Sequence, residues 1–171
     1  GIVVGALSTL LVSCSSYTEL SRAIDQAESL AEENPNKALE IISNIDKSQL
    51  RSSEIKARYA LIYSEVSYYN RMLVNSDSLT RIAVAYYDKS NHHHERARAY
   101  FQRGMTLQLA GALPEAILAL REAHNSLDKY KDNRLEGVVY RLEGDIYRAS
   151  YLYRNSYNAY VEALRCFERE N

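Results

Sequence analysis

Two helical hairpins of one design stand forty residues apart, and that spacing restricts the chain to a stack of helix pairs. The stretch from Ala97 to Ala123 reads ARAYFQRGMTLQLAGALPEAILALREA. Tyr100, Gly104 and Leu107 fall on one stripe of a helix, four and three positions apart. Gly111 can end that helix, because glycine accepts the left-handed conformation a helix stop needs. Pro114 can start the next, because its missing N–H falls where no helical partner exists. Ala116, Leu120 and Ala123 then repeat the four-and-three spacing. The small residues Gly104 and Ala116 let the two helices approach closely. Tyr140, Gly144 and Tyr147 repeat the first stripe forty positions on, and Ser156, Tyr160 and Ala163 repeat the second. A fixed offset carrying the same residue sizes is the signature of a repeat array.

The order aromatic-x-x-x-Gly-x-x-aromatic, followed by Ala-x-x-x-large-x-x-Ala, resembles the tetratricopeptide repeat. That family's unit is about 34 residues, so the loops here are longer by about six. The match is good over Ala97–Ala123, fair over Gly137–Ala163 and degenerate upstream. The chain has no Trp, Tyr151 stands where Gly111 did, and Ser156 replaces Ala116. The family's trailing Pro is also absent. The turn at Gly111 is therefore expected to be more regular than the turn at Tyr151. The resemblance implies an all-α right-handed superhelix (a TPR-like solenoid) of about four helical hairpins. It also implies a non-catalytic scaffold that presents a concave surface to a protein or an extended peptide.

Composition narrows the classes. A chain of 171 residues suffices for one domain, and 46 % hydrophobic with 25 % charged residues is a folded composition. The net charge is −1 and the 21 basic residues are spread along the chain, which excludes the basic stripe a nucleic-acid binder needs. Fifteen Tyr suit half-buried helices, since each packs a ring while its hydroxyl stays wet. Cys14 and Cys166 lie near opposite ends and form no disulfide, zinc or redox spacing.

Residues 1–13 are apolar, too few to span a bilayer as a helix but the length of a signal-peptide core. The segment Leu11-Val12-Ser13-Cys14 resembles the bacterial lipobox. That resemblance implies cleavage before Cys14, lipidation of Cys14, and residues 14–171 as the mature helical domain. The basic segment expected ahead of the apolar run is missing, so the chain is truncated there or the run is a buried apolar strand or helix. Ser15 and Ser16 follow without an acidic cluster, so nothing argues for display on the outer cell surface, and the lipobox resemblance implies a lipid anchor on the periplasmic side of a bacterial envelope.

Ser16 and Glu19 form a possible capping box. Leu20, Ile24, Ala27, Leu30 and Ala31 mark a helical face ending at Asn34-Pro35, and a short second helix buries Ala38, Leu39, Ile42 and Ile45. Ser52 or Ser53 caps a third helix running to about Asn70, and Ser76, Asp77 or Ser78 caps a fourth with Ile82, Ala83, Tyr86 and Tyr87 inward. Residues 89–95 are read as a loop, 129–133 as a polar connector, and helices seven and eight as roughly 135–150 and 155–168. Tyr157, Tyr160, Val161 and Leu164 give helix eight a broad apolar face. No polar capping element follows, so either the parent protein continues or helix eight is the cap.

His92, His93 and His94 invite a metal reading, but adjacent loop residues cannot all turn to one ion, and a helical pair needs the i, i+4 spacing of H-E-x-x-H. They are assigned to a solvated loop with no metal. His124, Glu143 and Asp145 are assigned to exposed helix surface. There is no nucleophile elbow, phosphate loop or Cys pair, so no enzyme and no cofactor are expected. Tyr100, Tyr140, Tyr147 and Tyr160 fill core slots, whereas Tyr68, Tyr69, Tyr151 and Tyr153 fall outside those slots and are expected to face a partner more readily.

In the family, the first helix of each pair lines the inner surface. Residues beside the core stripe then face the groove: Leu61, Glu65 and Tyr68; Phe101, Met105 and Gln108; Arg141, Asp145 and Arg148. Such a groove offers an apolar anchor at Phe101 and Met105 and arginines for a carboxylate, although Phe101 and Met105 could equally pack against the next hairpin. Two other functions are compatible with the sequence. One is a sensory input domain of a larger membrane-anchored regulator; the other is a metal-dependent enzyme built on His92–Glu95.

Overall fold

The computed structural model describes the backbone of residues 4–72 and 77–170, with side chains for 17–72 and 77–170. All regular structure among them is helical. The chain forms two compact units, Gly1–Met72 and Leu73–Asn171.

The first unit contains α1 (Val4–Leu30), α2 (Pro35–Ser43), a short 3-10 turn (Lys47–Gln49) and α3 (Ser53–Tyr69). Leu20, Ile24 and Ala27 of α1 are buried, with Ala38 and Ile42 of α2 and Ile55, Tyr59 and Val66 of α3. The Asn34 side chain accepts from the Lys37 N–H and Pro35 opens α2, as the missing N–H allows. Ser52 Oγ accepts from the Ile55 N–H at 3.1 Å and caps α3. Arg58 of α3 donates to Ser21 Oγ at 2.8 Å and pairs with Asp25 of α1. The α1 helix runs unbroken through Ser16, so no capping box starts a helix there. The Cys14 side chain and the side chains of the apolar run before it lie outside the described residues.

The second unit contains α4 (Ser78–Tyr87), α5 (His93–Leu109), α6 (Leu113–Leu127), α7 (Asn133–Ala149) and α8 (Tyr153–Glu170). The hairpins α5–α6 and α7–α8 are its most extensive pairings, α5 also packs on α4, and α7 packs on α6. Phe101, Leu120, Leu127, Val139, Leu142 and Ile146 share one core. Close approach within each hairpin depends on glycine. A Cβ on Gly104 would lie 2.5 Å from Leu120 Cδ2, and one on Gly144 would lie 2.5 Å from Tyr160 Cε1. Ser156 Oγ, in the slot of Ala116, donates to the Gly144 carbonyl at 2.9 Å.

Three turns share one geometry at forty-residue intervals. Arg71, Gly111 and Tyr151 have φ of 55°, 76° and 60°. After each, the next N–H bonds five residues back, from Met72 to Ser67, Ala112 to Leu107 and Leu152 to Tyr147, each at 2.9 Å. The left-handed residues themselves donate to Tyr68, Gln108 and Arg148. This is the Schellman stop, which satisfies the last helical carbonyls. The Tyr151 turn is thus hydrogen-bonded like the Gly111 turn, contrary to expectation, because these backbone bonds hold whatever residue stands at the left-handed position.

Other boundaries shift. The segment expected as loop 89–95 is already helical from His93, and α7 begins at Asn133 because Asp132 Oδ1 accepts from the Leu135 N–H at 2.8 Å. Ile82 is exposed, while Val84 joins Ala83 and Tyr87 on the buried side of α4. The packed face of α8 is Ser156, Ala159, Ala163 and Cys166; Tyr157 and Leu164 are exposed.

Candidate functional site

The candidate groove residues of the second unit stand on α5 and α7, which touch each other directly. The register of the core stripes determines which of them reach solvent. Phe101 is only 6 % exposed and lies in the core shared by α5, α6 and α7. Its ring is therefore a packing element and not a groove anchor, because α7 crosses α5 where the groove was expected to open. Met105 is half-buried against the same core, and Gln108 is half-buried one turn on.

The α7 members form a polar edge. Arg141 and Arg148 are exposed and Asp145 is half-buried. The Tyr160 hydroxyl of α8 donates to Asp145 Oδ1 at 2.7 Å, and Arg148 Nη2 lies 3.7 Å from the same oxygen. Contact with the Tyr160 hydroxyl and the nearby Asp145 charge hold the Arg148 guanidinium pKa above its ordinary value. This edge presents an exposed guanidinium beside Asp145, a group that pairs with carboxylates.

In the first unit, Leu61 and Glu65 are buried and Tyr68 is exposed beside Tyr69, with ring centroids 5.3 Å apart. Of the three, Tyr68 alone presents substantial surface. Leu61 and Glu65 are buried and do not face solvent as expected.

The histidines diverge. His92 Nδ1 lies 3.9 Å from Glu95, whereas His94 Nε2 meets Asp132 Oδ2 at 2.9 Å and stacks on Tyr130. That hydrogen bond lowers the Asp132 carboxyl pKa below its ordinary value. Among the described residues no group of three or more His, Cys, Asp or Glu side chains could hold a metal ion. His124 and Glu143 are not exposed surface, as expected, but a half-buried pair between α6 and α7. His124 Nε2 stands 3.4 Å from Glu143 Oε1, an ion-pair distance without hydrogen-bond alignment, and its ring lies 4.3 Å from that of Tyr140. The His124–Glu143 pair could have been found by asking which polar residues fall on the side of α6 that faces the next hairpin.

The tyrosines of the core slots are half-buried. Tyr100 donates to Asp88 Oδ2 at 2.8 Å, and burial followed by that bond pushes its hydroxyl pKa well up. Burial likewise raises Tyr140 and Tyr147, helped by Glu136 and Glu143 at the former and Glu143 at the latter. Burial also raises the Cys166 thiol, which keeps it protonated and unreactive. These shifts follow from packing. No helix among the described residues is long and apolar enough to cross a membrane.

No protein-family model, curated protein or solved structure matches the chain.

Proposed function

We propose that this chain is a non-catalytic helical-repeat scaffold of the TPR-like kind, a right-handed stack of hairpins that binds a protein or an extended peptide. The forty-residue recurrence supports this reading most: the same left-handed stop at Arg71, Gly111 and Tyr151, and the same glycine contact at Gly104 and Gly144. The peptide lies along α5 and α7. Arg148 and Arg141 receive its carboxylates, and Met105 and Gln108 line its path. Phe101 supports this surface from beneath.

The scaffold is held at the periplasmic face of a bacterial membrane by lipid on Cys14. One acyl chain anchors only marginally, whereas two or more hold stably, and a bacterial lipoprotein carries several.

Two experiments test the reading. Mass spectrometry of the native membrane fraction is expected to find an acylated N-terminal Cys14; an intact Gly1–Asn171 segment would count against the anchor. The protein and its Arg148→Glu variant are then cross-linked to envelope proteins. A partner retained by the unaltered protein and lost by the folded variant supports the groove, and equal capture by both refutes it.

A further inference from the structure

We draw no further inference here: the strongest candidate, the exposed apolar turn Tyr151-Leu152 that joins α7 to α8, carries nothing because nothing in the structure shows what covers it.

Discussion

Tyr151 adopts the left-handed backbone that Gly111 adopts forty residues earlier, with φ of 60° against 76°. Both donate the same helix-stopping hydrogen bond, but only glycine does so without a Cβ crowding the following carbonyl. That crowding costs about 1–2 kcal/mol for an L-residue. Glycine loses about 0.5–1 kcal/mol of this through its freer unfolded chain. Tyr151→Gly is therefore expected to stabilise the protein by about 0.5–1 kcal/mol, and Gly111→Ala to destabilise it by a similar amount. Thermal unfolding of both variants reads the opposite signs; a lower melting temperature for Tyr151→Gly would show that its ring contributes more than its backbone costs.

The helical glycines separate by what confronts them. A Cβ on Gly144 meets the Tyr160 ring at 2.5, 2.6 and 2.9 Å, and that ring is fixed by its hydrogen bond to Asp145. Overpacking of this kind costs about 1–3 kcal/mol and outweighs the gain of up to about 1 kcal/mol in helix propensity. Gly144→Ala should lower the melting temperature, and Gly104→Leu should lower it further against fully buried Leu120. At Gly137 the obstacle is the half-buried Phe167 ring, met at 2.5, 2.8 and 2.9 Å near the end of α8. Helix ends fray, so Gly137→Ala is expected to be the mildest of the three, and equal losses at all three would contradict this order.

Acid should loosen the contact between the α5–α6 and α7–α8 hairpins. The folded-state pKa of Asp132 lies below its ordinary 3.8, chiefly through the hydrogen bond with His94. A lowered carboxyl pKa contributes stability that is present above the unfolded value and is lost as the pH falls through the folded one. Asp132→Asn keeps an oxygen to cap Leu135 but loses the charge, and is expected to cost about 1 kcal/mol at neutral pH. Denaturant titrations at pH 7 and near pH 2 should show this difference shrinking to nothing in acid. A constant difference would place the effect in the cap rather than in the ion.

Phe101 offers a clean division between packing and binding. Its truncation to Ala empties a buried aromatic slot, expected to cost about 3–5 kcal/mol. Arg148→Glu touches only the exposed edge and should leave stability within about 0.5 kcal/mol. Denaturant unfolding of the two variants is the measurement, and a Phe101→Ala protein of unchanged stability would move that ring back to the surface.

The hairpins were legible because their determinants are local. Gly104, Gly111, Pro114 and their counterparts act within a few residues of their own position, so periodicity and turn chemistry alone locate α5, α6, α7 and α8 to within two residues at most ends. The mis-assigned residues at the candidate site depend on contacts between separate elements, whereas the Tyr151 stop and the early start of α5 at His93 are local. Phe101 lies one position from the core stripe, and only the crossing of α7 over α5 turns that flank inward. His124 and Glu143 read as solvated charges until α7 is laid across α6. The apolar stripe of α8 reads as core, since hydrophobic spacing records that a face is apolar and not whether anything covers it.

The sequence alone thus fixes where each helix stops and which of its sides is apolar, because a missing Cβ, a missing N–H and a four-and-three spacing act through the nearest turns of the chain. Which apolar side is filled, which polar pair is buried and which residues remain for a partner are settled by tertiary packing, because burial belongs to the pair of surfaces that meet and a single helix carries only one of them.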